Sequence, residues 1–142
     1  MFLGSVDLRL DEKGRLFLPS RWRARFADGL VLTKGQERCV FVFTTEVFTD
    51  KAAALADAPL SDRRARDYGR VLFASAADET PDKQGRVTVA PALREWAGLD
   101  RDVTLVGAGR RVELWDPQTW QTYTAEREAS FAEVADAVPG LL

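Results

Sequence analysis

Two short segments of the chain carry the same charged pattern and are its strongest candidates for a binding function. Residues 11–15 read DEKGR and residues 82–86 read DKQGR, so both fit the pattern Asp-x-x-Gly-Arg. Aspartate and glycine favour tight turns, because aspartate bonds nearby backbone groups and glycine tolerates positive φ. Alternating apolar residues and a proline, Pro19 or Pro91, follow each motif. The pattern predicts two equivalent loops, each holding an oxyanion-binding guanidinium at the start of a strand.

Each loop also has a purely structural interpretation. Gly14 and Gly85 would then only satisfy the backbone of a turn, and Arg15 and Arg86 would pair with the aspartates of their own loops. A surface ion pair of that kind contributes roughly 0–1 kcal/mol to stability. Many sequences build a turn, however. Keeping Asp, Gly and Arg together in both halves, while most other positions differ, favours a shared function.

The composition excludes several classes of site. The chain has 142 residues, one cysteine, no histidine and a formal net charge of −2. Histidine is the commonest general base and metal ligand, and Cys39 lies in an apolar run typical of a core strand. We therefore expect no catalytic residue, no metal site, no cofactor and no enzyme activity. No apolar run approaches the ~20 residues of a membrane span, and no secretory signal is recognisable, so a cytoplasmic protein is expected.

The acidic net charge is a weak argument against nucleic acid, because the field of a local patch decides binding. Arginines cluster within residues 15–25 and again within residues 63–70. The second cluster has two interpretations. It is either a solvated helix face or a contact surface between protomers that meets acidic residues such as Glu126, Glu128 and Glu133.

The periodicity predicts short strands and helices on either side of each loop. Residues 4–10 and 15–18 are expected to form a hairpin around the first loop. Ser20 is expected to cap a short helix over 21–26. Further predicted elements are strands over 30–34 and 39–43, a helix from Thr44 or Thr45 to about residue 55, and a helix over about 62–74.

The second half repeats the plan of the first. Strands over 87–89, 103–106 and 111–115, a short helix from Pro91, and a helix capped by Asp116 are predicted. Pro81, just before the second loop, has no backbone N–H to donate to a neighbouring strand. It therefore predicts a less regular hairpin there. The predicted organisation is a first module over 4–50, a helical connector over 51–76, a second module over 77–122 and a C-terminal helix and tail over 123–142. The stretch 125–142 is expected to fray.

With these residues in view, the chain resembles the MraZ proteins, bacterial transcriptional regulators built from two AbrB/SpoVT-like modules. The resemblance covers nearly the whole chain. It rests on the N-terminal MFLG, on residues 10–16 (LDEKGRL) with Pro19 following, on residues 82–87 (DKQGRV), and on residues 91–99 (PALREWAGL). The paired Asp-x-x-x-Arg motifs are the hallmark of that family.

The resemblance implies an α+β fold, a pseudo-twofold swapped-hairpin β-barrel with flanking helices. It also implies a nucleoid-associated repressor that binds double-stranded DNA as a ring-like homo-oligomer. Its expected target is the upstream region of the division and cell-wall gene cluster that contains its own gene. Weak binding sites repeated around a ring bind repeated DNA elements with a higher overall affinity, because the first contact raises the effective concentration for the next.

The same resemblance assigns roles to eight loop residues. Arg15 and Arg86 would bind phosphate or the O6/N7 edge of guanine, since an arginine fork matches both. The lysines would attract phosphate, the aspartates would orient the arginine forks, and the glycines would shape the loops. The remaining six residues of this expected DNA-binding set are Lys13, Lys83, Asp11, Asp82, Gly14 and Gly85.

Another interpretation is an antitoxin-like or scaffold module that uses the same barrel to hold a protein partner. A disordered tail able to wrap a toxin would favour it. The tail of this chain is short and contains apolar residues, which mildly disfavours that function.

Overall fold

The chain folds into a mixed α+β structure over residues 1–133, the part that the computed structural model describes. The α+β class expected from the sequence is thus confirmed. The strands are β1 (Ser5–Arg9), β2 (Arg15–Phe17), β3 (Leu30–Lys34), β4 (Val40–Thr44), β5 (Ala77–Glu79), β6 (Arg86–Thr88), β7 (Asp102–Gly107) and β8 (Val112–Trp115). The helices are α1 (Ser20–Arg23), α2 (Thr45–Ala56), α3 (Arg63–Ser75), α4 (Pro91–Ala97) and α5 (Pro117–Ala132).

The two halves of the chain exchange strands. Six strands form an antiparallel sheet in the order β1-β7-β8-β4-β3-β5, and β2 and β6 form a separate two-stranded ribbon. Strand β1 of the first half therefore pairs with β7 of the second, and β5 of the second half pairs with β3 of the first. The predicted hairpin of β1 with β2 is wrong, because both strands find their partners in the other half. The strands pair as an open sheet and a ribbon, so the expected closed barrel is not confirmed.

The larger of two apolar clusters joins the two halves. Leu16 of β2 and Val87 of β6 are both buried, and they pack in one cluster with residues from both halves such as Phe26 and Leu93. A second cluster, which includes Cys39 and Trp115, is flanked by the half-buried Phe48, Trp120 and Tyr123 of α2 and α5. Cys39 is a core residue as predicted, and its burial raises the pKa of the thiol.

The longer helices begin where the sequence predicts. Thr44 accepts from the Val47 N–H at 3.2 Å at the start of α2, and Asp62 and Asp116 cap α3 and α5 in the same way. The prediction for Ser20 is wrong: it is the first residue of α1, and Pro19 occupies the cap position without a side-chain bond. None of the described helices is long and apolar enough to cross a membrane.

Residues 125–132 are more ordered than the sequence suggests. Helix α5 continues to Ala132, so the first part of the stretch expected to fray is helical. Residues 134–142 of that stretch lie outside the described residues.

A substitution at Gly107 tests how closely the N-terminal segment packs against β7. A Cβ at Gly107 would lie 2.6 Å from the Leu3 backbone nitrogen, and the backbone there is tied by a 2.7 Å bond from the Gly107 N–H to the Gly4 carbonyl. We expect Gly107→Ala to lower the free energy of unfolding by about 1–3 kcal/mol, as overpacking does. Chemical denaturation measures the change.

The matched control is Gly69→Ala in α3. The nearest atom to a Cβ there is a ring carbon of Phe73 at 3.7 Å, an ordinary contact. Alanine also removes the helix penalty of glycine, so this variant should be more stable by about 0.5–1 kcal/mol. Equal effects of the two substitutions would contradict this account of the N-terminal packing.

Candidate nucleic-acid interface

The first loop is built around the carboxylate of Asp11. Its Oδ1 accepts from the backbone N–H groups of Lys13 and Arg15, each at 2.9 Å. Its Oδ2 accepts from Arg15 Nε at 2.7 Å. Gly14 completes the turn at φ +74°, a conformation that favours glycine. The aspartate thus fixes both the backbone of the loop and the orientation of the arginine fork.

The second loop repeats this geometry. Asp82 Oδ1 accepts from the Gln84 and Arg86 N–H groups at 2.9 Å, its Oδ2 accepts from Arg86 Nε at 2.7 Å, and Gly85 has φ +78°. The irregularity predicted from Pro81 does not reach the loop, because all of these bonds lie between residues 82 and 86. The preceding strand β5 has three residues, against five in β1.

Both loop aspartates are held in their ionised form. The backbone N–H of Arg15, followed by the Arg15 side chain and the Lys13 N–H, lowers the pKa of Asp11 below its ordinary value. The backbone N–H of Arg86 has the corresponding effect on the pKa of Asp82. The loop geometry therefore persists at any pH where an ordinary carboxylate is charged.

The ribbon of β2 and β6 brings the two loops together. Arg15 pairs with Thr88, Leu16 with Val87, and Phe17 with Arg86. Neighbouring residues of a strand point to opposite faces, and directly paired residues share a face. With the central pair buried, both arginines lie on one outer face, 71 positions apart in sequence but diagonal neighbours on the ribbon.

The outer face also carries an exposed aromatic ring. Phe17 is 46% exposed, and the guanidinium carbon of Arg86 lies 5.8 Å from its ring centre. The Nε of each arginine is taken up by its aspartate, and this bond leaves the terminal Nη groups to other acceptors. The exposed Lys13 and Lys83 lie in the loops that extend from this face. The six charged members of the expected DNA-binding set thus belong to one surface, with Gly14 and Gly85 shaping its two loops.

Two further arginines lie against the loops and were missed by sequence reasoning. Each comes from the short helical segment of the opposite half: a Cβ at Gly85 would lie 2.7 Å from Cζ of Arg23, and a Cβ at Gly14 would lie 2.9 Å from Cζ of Arg94. Arg23 Nη2 donates to the Leu18 carbonyl at 2.9 Å, and Arg94 Nε donates in the same way to Val89 at 3.0 Å. The signal was their equivalent placement, since each follows the aspartate of its own half, Asp11 or Asp82, by twelve residues. Its meaning depends on the pairing of β2 with β6, which brings each arginine to the loop of the other half.

The resulting surface is basic although the chain is acidic. The two loops and the two flanking arginines carry six cationic side chains against three carboxylates, in a chain of net charge −2. A local patch of this kind determines the field that an approaching polyanion meets. The arrangement is suited to binding a negatively charged, regularly spaced backbone.

Comparison with known proteins agrees with the doubled architecture. A family model described as "MraZ protein, putative antitoxin-like" matches the chain twice, over residues 1–71 and 72–139. The chain belongs to the MraZ family. The family resemblance seen in the sequence, with its two modules, is thereby confirmed.

Relatives of this MraZ family member match it along its whole length. A protein of Micrococcus luteus is 57% identical over 142 residues and covers 99% of both chains. Proteins of an Arthrobacter species and of Thermobifida fusca are 53% and 54% identical, with coverage of 99% and 100% of each chain. All three bear the name "Transcriptional regulator MraZ".

The loop geometry predicts how Asp11 titrates. The largest cause of its lowered pKa is the backbone N–H of Arg15, which remains in Arg15→Ala. We therefore expect the pKa of Asp11 to rise only part of the way toward its ordinary value of 3.8 in that variant. Carboxyl-detected NMR titration measures the pKa of Asp11 in the wild type and in the variant. The pKa of Asp82, in the unaltered second loop, is the internal control.

The direction of the pH dependence follows from the same bonds. A carboxyl whose folded pKa is depressed stabilises the fold above its unfolded pKa, and this contribution is lost as the pH falls through the folded pKa. The loop bonds should therefore survive acidification to the ordinary aspartate range and break below it. Full restoration of the Asp11 pKa in Arg15→Ala would show that the side chain, and not the backbone, holds the loop.

Proposed function

We propose that this protein is a transcriptional regulator that binds double-stranded DNA through the outer face of the β2–β6 ribbon. The observation that carries the proposal is the convergence of both Asp-x-x-Gly-Arg loops on one basic surface. Its relatives bear the name of transcriptional regulators, which supports the same class of function.

A two-stranded ribbon is an element that can enter a groove of DNA. The major groove of B-DNA admits a two-stranded β-ribbon, and arginine reads guanine there through the O6 and N7 acceptors. In the proposed complex Arg15 and Arg86 bind base edges or phosphates, and Lys13 and Lys83 bind the backbone. Asp11 and Asp82 orient the two forks. The low conformational freedom of the loops reduces the entropy lost on binding.

We further propose that the protein acts as a homo-oligomeric ring. One protomer offers few DNA contacts, so its affinity is low, but linked copies bind repeated DNA elements with a high effective concentration. The proposed target is the upstream region of the division and cell-wall cluster that contains the protein's own gene, where binding represses transcription.

The crossed pairing of the two halves also supports the swapped-hairpin barrel as the underlying fold. The proposed organisation is a first module over 4–50, a connector over 51–76, a second module over 77–122 and a C-terminal segment over 123–142.

We propose that the protein has no catalytic role and needs no cofactor. We also propose that it is located in the cytoplasm, at the nucleoid. The chain lacks histidine, and the burial that raises the pKa of the Cys39 thiol disfavours the reactive thiolate. Among the described residues no group of three His, Cys, Asp or Glu side chains is placed to hold a metal ion.

The proposal predicts that Arg15→Ala and Arg86→Ala each weaken DNA binding while the fold is kept. Loss of one bidentate contact corresponds to about 1–3 kcal/mol per site, and the loss is multiplied when several protomers bind one DNA. Mobility shifts with DNA from just upstream of the gene, at several salt concentrations, measure the affinity. The salt slope should fall by about 1 for each phosphate contact removed.

Arg9→Ala is the matched control. Arg9 is an exposed strand arginine that pairs with Asp102 at 3.2 Å, outside the ribbon. Its loss should leave DNA binding unchanged. If both ribbon variants bind like the wild type, the loop assignment is wrong. If the wild type shows no preference for the upstream DNA over random DNA, an antitoxin-like or scaffold role in protein binding is favoured instead.

A further inference from the structure

An apolar groove of about 580 Å³ lies away from the ribbon, between α3 and the turn that joins β3 to β4. Val71 and Tyr68 of α3 line it and are 54% and 43% exposed. Arg64, Tyr68 and Val71 share one side of the helix because they are four and three residues apart. Large apolar side chains left open around a groove mark a surface for a partner.

The floor of the groove is fixed by hydrogen bonds between α4 and the turn. The indole Nε1 of Trp96, from α4, donates to the carbonyls of Gly35 and Cys39 at 3.1 Å each. The Arg38 guanidinium carbon lies 4.3 Å from the centre of the same indole. Glu37 and Arg38 have φ of +56° and +65°, which is costly for non-glycine residues. The turn thus holds the Arg38 cation against the half-buried indole of Trp96 at a cost in backbone strain.

The rim of the groove is positively charged. Lys34, Arg38 and Arg64 lie on it, against Glu37 and Asp67. The Asp67 carboxylate is already shared between two further arginines of α3, Arg63 and Arg70, each at 3.6 Å. An occupant that complements the groove therefore carries an apolar side chain flanked by carboxylates.

The far end of α5 has this chemistry. The near end packs against the sheet, with the rings of Trp120 and Tyr123 about 5 Å from Trp115. From residue 125 to residue 133 every side chain is exposed, and Phe131 is 83% exposed. Glu128 lies on the same side of the helix as Phe131, three residues earlier, and Glu133 follows the helix end. A helix end without tertiary contacts is marginally stable alone, which favours its being covered.

We propose that the far end of α5 docks into the α3 groove of a second copy of this chain, with Phe131 against Trp96 and Tyr68. Glu128 and Glu133 then face the cations of the rim. The two surfaces differ, so the contact is head-to-tail, and repetition of it closes a ring or extends a filament. This inference deepens the proposed homo-oligomer and rests on it. It does not involve the ribbon.

The test is a mixing experiment on the full-length protein, followed by sedimentation velocity. Val71→Glu blocks the groove and keeps α5, whereas Phe131→Ser removes the apolar anchor and keeps the groove. Each variant alone should associate about 10- to 100-fold more weakly than the wild type, as expected for loss of one buried aromatic anchor. An equimolar mixture should form a complex with one copy of each, because one intact groove meets one intact α5.

Leu60→Glu is the control, since Leu60 is 84% exposed but does not line the groove. Its assembly should equal that of the wild type. Should Val71→Glu misfold, the charge reversals Arg64→Glu and Glu128→Arg replace the pair, each weakening assembly alone and restoring it when mixed. A wild type that stays monomeric, variants that assemble normally, or a mixture that stays unassociated would each overturn the proposal. Arg15→Ala should assemble normally, so failure of DNA binding remains distinguishable from failure of this interface.

Discussion

The pairing of β2 with β6 is the contact on which the rest of the structure depends. It places the inner residues Leu16 and Val87 in the common core and leaves both loop arginines on the outer face. The ladder continues into the loops, since the Leu18 N–H donates to the Gly85 carbonyl and the Val89 N–H to the Gly14 carbonyl, each at 2.9 Å. Neither half can build this surface alone. The site and the core therefore form together when the two halves interlock.

Rigidity and charge are balanced within the site. Each aspartate reduces the positive charge of its loop, but it also fixes the arginine fork that the loop presents. The flanking arginines of the opposite half restore the excess of cations without lengthening the loops. This arrangement explains how a chain of net charge −2 presents a surface suited to a polyanion.

The sequence alone predicts the local parts of this design well. The loops, the caps at Thr44 and Asp116, and the buried Cys39 follow from short-range chemistry that a few neighbouring residues determine. The partners of β1 and β2 do not follow from it, because alternating apolar residues fit any antiparallel neighbour. For the same reason Arg23 and Arg94 were missed: their contact with the loops exists only after the strands cross between the halves.

The central claim is that DNA lies on the outer face of the ribbon, and a photo-crosslinker at Phe17 tests it most directly. Phe17 sits on that face beside Arg86 and is 46% exposed, so benzoylphenylalanine fits there without entering the core. The same group at Leu60, which is 84% exposed and lies outside both the ribbon and the α3 groove, provides the comparison. We expect crosslinks to upstream DNA from position 17 and none from position 60. Crosslinks from position 60 alone would contradict this placement of the DNA.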